Sequence, residues 1–303
     1  LKNSLQKLPY GGAKGGIKMN PNDYSKKELE RISRNFCKYL GNFIGPNIDV
    51  PAPDMGTNSQ IMDWMTSAYE NSGHRHTNSV FTGKSIECGG SEGRNEATGF
   101  GVVACIKKWA EYNHFDLKGK TYIIQGYGNV GSNTAMLLSH LGLTCLAVGD
   151  HTGYLKNSEG FNVYKLNDYV QKNRSLENYH GETISKEEFF SLECDIVIPA
   201  ALELVICGDD AQKLNCKVVV EAANGPLDIE ADKILAERKI DVIPDILANS
   251  GGVVVSYYEW LQNNRCESWE KEDVLKKLDN RMTTTYKRVC SYSEQNNVSM
   301  RVA

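Results

Sequence analysis

The sequence predicts an α/β fold whose larger domain is a doubly wound, mostly parallel sheet. Residues 121–150 have the pattern of a strand, a glycine turn, a helix and a second strand. Further along, apolar segments alternate with helical patterns. The apolar segments are 194–201, 217–226 and 240–245, and the helical patterns between them are 209–214 and 229–238. Strands that alternate with helices are typical of a parallel sheet covered on both faces.

The glycine turn matches G-x-G-x-x-G directly after an apolar strand. Gly126 permits the tight turn, Gly128 lets the backbone approach a pyrophosphate, and Gly131 lets the helix pack closely on the strand. The helix N-terminus presents free N–H groups to phosphates. Asp150 ends the next strand, where a carboxylate meets a ribose 2′-hydroxyl. We therefore predict a Rossmann-like dinucleotide-binding domain; the alternative is a glycine turn that only packs a strand against a helix.

The stretch before the sheet predicts two amphipathic helices. Ser25 and Glu28 form a capping box for the first helix, and Thr57 with Gln60 caps the second. The first apolar stripe is Leu29, Ile32, Phe36, Tyr39, Leu40 and Phe43, and the second inner face is Ile61, Met65, Ala68 and Tyr69. A strand-like run is expected within residues 1–18, and a short strand and loop within 48–57.

The rest of the chain is expected to form helices around the sheet. They are a helix over 95–113, helical pieces within 154–193, a helix with a glycine-rich start over 248–260, and a final long helix marked by Leu275, Leu278, Met282 and Val289. A glycine-rich connection indicates a domain boundary near Gly93. We expect a substrate and catalytic α/β domain at 1–93, the dinucleotide-binding domain at 94–261, and a helical segment at 262–303 that returns to the first domain.

The composition narrows the class of protein. A net charge of −4 gives no support to binding of nucleic acid or anionic membranes, and no apolar run is long enough to span a bilayer. Nine cysteines without CxxC spacing are expected to be reduced, which predicts a cytoplasmic location and leaves a mitochondrial one open. His74 and His76 lack nearby cysteines or acids, so we predict solvated loop residues and no metal site.

Two residues in the first part have alternative interpretations. Lys14 is flanked by four glycines, but no Ser or Thr follows it as in a P-loop. It is either an exposed lysine in a flexible turn or a lysine held where the backbone crowds a ligand. Asp54 lies in a loop between a strand and a helix, where either a turn aspartate or a catalytic acid is expected. Spacing alone leaves both choices open.

Six motifs occur in a recognisable order across nearly the whole chain. They are residues 9–16, 50–57, 89–99, 126–131, 223–226 and 248–260. Together they resemble the glutamate dehydrogenase family, within the wider group of Glu/Leu/Phe/Val dehydrogenases. The resemblance implies reversible oxidative deamination of L-glutamate to 2-oxoglutarate and ammonia with NAD or NADP. Full-length members extend beyond this sequence at both ends, so we expect it to be part of a longer chain.

The resemblance also implies roles for single residues. Lys14 would activate the water that attacks the imine, and Asp54 would carry a proton to and from the substrate nitrogen, both in a dry cleft beside the nicotinamide. Lys2 would hold the α-carboxylate and Ser256 the γ-carboxylate. The other implied substrate contacts are Ala52, Asn249 and Val253, and the implied cofactor contacts are Arg94, Thr98, Gly126, Gly128, Asn129, Val130, Gly131, Asp150, Ala200 and Asn224.

Cofactor choice and partners are expected as follows. Asp150 favours NAD, because a carboxylate repels a 2′-phosphate, although His151 and Lys156 could offset its charge. Family members are commonly hexamers, so a homo-oligomer is expected.

Three other functions are alternatives to a glutamate dehydrogenase. They are a dehydrogenase for an apolar amino acid such as leucine, a catalytically silent homologue, and a hydroxy-acid dehydrogenase that shares only the nucleotide fold.

Overall fold

The computed structural model describes residues 1–73 and 77–303, and its central element is a seven-stranded sheet of order β4-β3-β2-β1-β5-β6-β7. The strands are Thr121–Gln125 (β1), Thr144–Asp150 (β2), Gly153–Lys156 (β3), Glu182–Ile184 (β4), Ile196–Pro199 (β5), Val218–Val220 (β6) and Asp241–Ile243 (β7). Strands β2, β1, β5, β6 and β7 run parallel to one another. This confirms the doubly wound α/β sheet.

The edge of the sheet departs from the prediction for 154–193, which had only helical pieces. Strands β3 and β4 lie there and pair antiparallel. A two-residue connection, His151-Thr152, joins β2 to β3, and Gly153 has φ +147, so the chain can reverse at once. Strands of three and four residues are too short to show a clear alternating pattern.

Helices cover both faces of the sheet and form the first part of the chain. They are Lys2–Leu5 (α1), Lys26–Leu40 (α2), Ser59–Glu70 (α3), Ala97–Tyr112 (α4), Asn129–His140 (α5), Val163–Asn173 (α6), Lys186–Ser191 (α7), Gly208–Lys213 (α8), Ile229–Glu237 (α9), Asp245–Ala248 (α10), Gly251–Arg265 (α11) and Lys271–Asn296 (α12). Short 3₁₀ turns lie at Pro21–Asp23, Gly41–Phe43, Asn78–Val80 and Ile86–Cys88. The capping box of Ser25 and Glu28 is confirmed.

Alternate residues of β1 enter two different cores, as a sheet with both faces covered requires. Tyr122 and Ile124 pack with buried residues of α4, α5 and α12. Ile123 packs on the opposite face with residues of α7, α8 and α9, such as Phe189 and Leu235. A third, smaller core joins α2, α3 and the segment around residues 80–81.

Several predictions for the first part are wrong. Within residues 1–18, which are all described, the structure has α1 and no strand. At 48–50 it has only an isolated bridge between Ile44 and Asp49. Asn58 caps α3 in place of Thr57, because the Thr57 hydroxyl is already hydrogen-bonded to the Asp54 backbone.

The predicted stripe of α2 is also too long. Tyr39 and Phe43 are 89% and 78% exposed. The buried face of α2 is centred on Ser33 and Cys37, and Tyr39, two positions after Cys37, points to the opposite side of the helix. Gly41, with φ +48, ends the helix, so Phe43 does not continue its periodicity.

Three further statements concern the described residues, 1–73 and 77–303. None of their helices is both long and apolar enough to cross a membrane. None of their His, Cys, Asp and Glu side chains form a group of three or more that could hold a metal ion. His74 and His76, predicted as solvated loop residues, lie outside this range.

Candidate functional site

The three glycines of the turn differ in what surrounds them. Gly126 has φ +98, and a Cβ there would lie 2.6 Å from the Ala200 carbonyl carbon. A Cβ on Gly131 would collide with the Gly126 carbonyl oxygen. A Cβ on Gly128 would meet no atom of the described residues within 4 Å. Protein packing therefore accounts for Gly126 and Gly131, whereas open space lies beside Gly128 at the start of α5, as a bound pyrophosphate requires.

A cleft of about 340 Å³ opens beside Gly128 at the carboxyl edge of the sheet. Its lining residues are Tyr127, Gly128, Asn129, Asp150, His151, Val170, Gln171 and Arg174. The Asp150 carboxylate is 11% exposed. It accepts hydrogen bonds from the backbone N–H groups of Thr152 (2.7 Å) and Leu176 (2.8 Å). These bonds hold the acid in place at the end of β2, where a ribose would bind.

The charges around Asp150 differ from the expected ones. His151 lines the cleft, as the sequence suggested. Lys156 instead lies 3.5 Å from a carboxylate oxygen of Glu182 on the neighbouring strand. Arg174 lines the cleft in its place, and sequence reasoning missed it because it follows α6, twenty-four residues after Asp150.

The loops after β6 and β7 bring two amides together. Asn249 donates to the Ala223 carbonyl oxygen (3.1 Å) and to Oδ1 of Asn224 (3.0 Å). Its own Oδ1 is buried and accepts no hydrogen bond from the described residues. A buried acceptor without a donor is costly, and an amide N–H of a nicotinamide fits this requirement.

Lys2 reaches this pair of loops from α1. Its Nζ donates to Oδ1 of Asn224 at 2.7 Å. Burial lowers the pKa of Lys2; Asp245 acts in the opposite direction, and the charges of Lys14 and Asp54 contribute as well. The predicted substrate lysine therefore lies near both the Lys14–Asp54 pair and the loops at the edge of the sheet.

Lys14 and Asp54 contact each other, Nζ to Oδ2. The hydrogen bond from Lys14 is the largest of the influences that lower the pKa of Asp54. Their side chains are 85% and 58% exposed. The dry cleft expected around them is thus not formed in this chain, because residues 11–18 lie on the surface and bring no apolar cover.

The predicted pocket for the substrate side chain lies on α11. Ser256 is buried and its hydroxyl accepts a hydrogen bond from Nε of Arg94 (3.0 Å). Val253 is half-buried one turn earlier on the same helix. A Cβ on Gly252 would lie 2.6 Å from the Thr98 hydroxyl and 3.4 Å from the Arg94 guanidinium. Arg94 and Thr98, both predicted as cofactor contacts, therefore pack against the start of α11, with Arg94 bonded to a predicted substrate residue.

The remaining predicted residues are placed as follows. Ala200 follows β5 and lies against Gly126. Asn129 begins α5 and donates to the Asn95 carbonyl oxygen at 2.8 Å, and Val130 is partly buried on the sheet. Ala52 is exposed in the loop before Asp54.

The sheet, the glycine turn and the acid at the end of β2 define a Rossmann-like dinucleotide-binding protein. The chain belongs to the Glu/Leu/Phe/Val dehydrogenase family. Residues 89–303 match the model of the Glutamate/Leucine/Phenylalanine/Valine dehydrogenase family. Residues 1–71 match the model of the Glu/Leu/Phe/Val dehydrogenase dimerisation domain.

Individual relatives agree with this membership. The chain is 41% identical, over its whole length and 71% of the relative, to the cryptic catabolic NAD-specific glutamate dehydrogenase of Bacillus subtilis. It is 43% identical, over 73% of the relative, to the glutamate dehydrogenase of Thermotoga maritima. A hetero-hexameric glutamate dehydrogenase from Thermus thermophilus superposes on this chain with a TM-score of 0.94 at 33% identity. The superposition covers 99% of this chain and 71% of the Thermus thermophilus chain.

Proposed function

We propose that this protein catalyses the reversible, NAD-dependent oxidative deamination of L-glutamate to 2-oxoglutarate and ammonia. The observation that carries the proposal is the contact of Lys14 with Asp54, beside a lysine that is bonded to the carboxyl edge of a dinucleotide-binding sheet. Relatives from Bacillus subtilis and Staphylococcus aureus are NAD-specific glutamate dehydrogenases. Two cations and one acid at the edge of such a sheet suit an amino acid that must lose a proton and a hydride.

The proposed mechanism divides the work among the three side chains. Lys2 holds the substrate α-carboxylate and orients the α-carbon. NAD, held beside Gly128 and Asp150, would supply the acceptor for the hydride of that carbon. Asp54, whose lowered pKa keeps it ionised at neutral pH, takes a proton from the substrate nitrogen. Lys14 then activates the water that attacks the imine of the substrate by taking up one of its protons. Asp54 returns a proton to the leaving ammonia, and the remaining hydroxyl proton is released as the ketone forms.

Ser256 and Arg94 support a carboxylate on the substrate side chain. A hydroxyl and a guanidinium lie side by side at the predicted pocket, and burial lowers the pKa of Arg94 while Glu259 partly offsets this effect. We therefore assign Arg94 to the substrate pocket. A leucine side chain would offer no acceptor to the other guanidinium N–H groups of Arg94, and sites of this kind reject such analogues strongly.

Asp150 supports NAD over NADP. It is fixed by two backbone N–H groups at the end of β2, so it cannot turn away from a 2′-phosphate. The guanidinium of Arg174 in the same cleft lowers the repulsion, so we expect a preference and not complete exclusion. We further propose a cytoplasmic homo-oligomer, with the exposed Tyr39 and Phe43 of the α2 region as part of the contact between subunits.

The test is a steady-state assay of NADH formation by the purified chain. We expect turnover with glutamate and NAD, a lower kcat/KM with NADP, and a much lower kcat/KM with leucine. Faster turnover of leucine would favour the apolar amino-acid dehydrogenase. Binding of NADH without turnover of any amino acid would favour a catalytically silent homologue.

A further inference from the structure

Glu221 is a fully buried carboxylate directly after β6. Its Oε1 and Oε2 accept hydrogen bonds from the two terminal nitrogens of Arg301 at 2.7 and 3.0 Å. Oε2 also accepts the backbone N–H of Asp245 at 2.8 Å. Burial raises the pKa of Glu221, and Arg301 acts against that rise. A buried charge is tolerated only when it is paired and hydrogen-bonded, and Arg301 supplies this pairing for Glu221.

Hydrogen bonds continue from Glu221 to the proposed active site. The Asp245 carboxylate accepts the Gly225 N–H at 2.9 Å, next to Asn224. Asn249 follows α10 and donates to Asn224, which also accepts from Lys2. The loops after β6 and β7 are therefore joined at two levels. The bond of Glu221 to Asp245 lies at their base, and the contacts of Asn224 with Asn249 and Lys2 lie at their tips.

We propose that Arg301 is a positioning residue: through Glu221 it fixes the loops that carry Asn224 and Asn249, and with them the ammonium of Lys2. The expected effect of Arg301 on catalysis rests on the proposed function. Without Arg301, the carboxylate would be left without its counter-charge. It would take up a proton or draw in water, and its bond to Asp245 would weaken. Arg301 touches none of the predicted substrate or cofactor residues in the described hydrogen bonds and ion pairs, so its effect is indirect.

Substitutions of Arg301 and Glu221 distinguish a positioning role of Arg301 from the simple loss of an ion pair. Arg301→Met leaves Glu221 unpaired, whereas Arg301→Met combined with Glu221→Gln removes the charge as well. Arg301→Lys retains a cation but not the two-pronged geometry. Arg238→Met is the matched control, because Arg238 donates to the Ala211 carbonyl oxygen (2.6 Å) away from these loops.

Two measurements decide the matter. In Arg301→Met we expect kcat for glutamate to fall about tenfold, within the range for residues that act through a network, with KM for NAD near the wild-type value. We expect partial recovery in the double variant and in Arg301→Lys, and none of these effects in Arg238→Met. Competitive acetylation read by mass spectrometry needs no turnover. Relative to the exposed Lys26, labelling of Lys2 should rise about three- to tenfold in Arg301→Met, the equivalent of one lost hydrogen bond.

Each outcome bears on one of the two proposals. If the wild-type chain turns over glutamate, and Arg301→Met has unchanged kcat and unchanged Lys2 labelling, the role of Arg301 is overturned. The proposed function is then unaffected. A loss of turnover without a change in Lys2 labelling would also overturn the role of Arg301, because general destabilisation of the protein would then explain the lost activity. If the wild-type chain turns over no glutamate, the proposed function fails, and Lys2 labelling alone decides whether Arg301 orders the loops.

Discussion

At the residue scale, the position of Asp54 is set by its own turn. The Thr57 hydroxyl accepts the Asp54 N–H (2.6 Å) and donates to the Asp54 carbonyl oxygen (2.7 Å). The Met55 N–H donates to Oδ1 of Asp54 at 2.7 Å. The second carboxylate oxygen is left for Lys14. The backbone of Asp54 thus forms part of the turn, and its carboxylate pairs with Lys14. The two interpretations of Asp54 are therefore compatible.

Replacement of Lys14 should abolish most turnover. Lys14→Met removes the amine that activates water, so we expect kcat to fall about 10²–10⁴-fold, the usual effect of one acid–base group. Lys18→Met is the matched control, because Lys18 is an exposed lysine in the same segment, and it should retain wild-type kcat. Equal activity of the two variants in the NADH assay would contradict the role of Lys14.

The titration of Asp54 should report the same contact. Its pKa is lowered from the ordinary value of 3.8, first by the hydrogen bond from Lys14 and then by that from Met55. The contact therefore stabilises the folded protein fully when the pH is above the ordinary pKa of Asp54. This stabilisation is lost as the pH falls through the lower pKa of the folded state. In Lys14→Met the pKa should rise toward 3.8. Carbon NMR of the carboxyl group measures it, and an unchanged pKa would show that the pair does not persist in solution.

At the element scale, the parallel strands and the turn after β1 follow from sequence because each is a local pattern. Apolar runs ended by small residues predict β5 and β6, and G-x-G-x-x-G predicts the turn. The edge strands β3 and β4 were missed because they are only four and three residues long. Arg174 and the pair of Glu221 with Arg301 were missed for another reason: their partners lie far away in the chain, and only the fold brings them together.

The glycine turn offers a matched pair of substitutions. Gly131→Ala should destabilise the fold, because the new Cβ would collide with the Gly126 carbonyl oxygen. Gly128→Ala should leave the unfolding midpoint near wild type, since no described atom lies within 4 Å of that Cβ. It should instead weaken binding of NADH, measured by fluorescence, because the methyl group occupies the space of the pyrophosphate. Wild-type NADH affinity in Gly128→Ala would argue against this position of the cofactor.

At the scale of the whole molecule, α11 joins the first part of the chain to the sheet. Trp260 donates from its indole nitrogen to the Pro46 carbonyl oxygen (2.7 Å), and the ring of Tyr10 packs edge-on against it at 5.4 Å. Tyr10 directly precedes the glycine-rich segment that carries Lys14. The helix that carries Val253 and Ser256 is therefore also the helix against which that segment is anchored. The division into parts at 1–93, 94–261 and 262–303 stays a prediction.

A buried ion pair connects α11 to the segment before α4. Lys84 and Glu259 are 2.7 Å apart, and both side chains are fully buried. Lys84 also donates to the Phe81 carbonyl oxygen (2.5 Å), and Glu259 accepts the Gly83 N–H (2.8 Å). The pair is thus hydrogen-bonded on both sides, and removing one partner leaves a buried charge without compensation.

Glu259→Gln should therefore lower the free energy of unfolding by about 3–5 kcal/mol, as expected when one partner of a buried pair is removed. The double variant Lys84→Met with Glu259→Leu should be less destabilised, because no charge stays buried. Lys213→Met provides the exposed comparison: its 2.9 Å pair with Glu187 is screened by solvent, so its loss should change the free energy of unfolding far less. Urea unfolding measures all three. Equal losses in Glu259→Gln and Lys213→Met would show that the Lys84–Glu259 pair does not hold α11 to the segment that precedes α4.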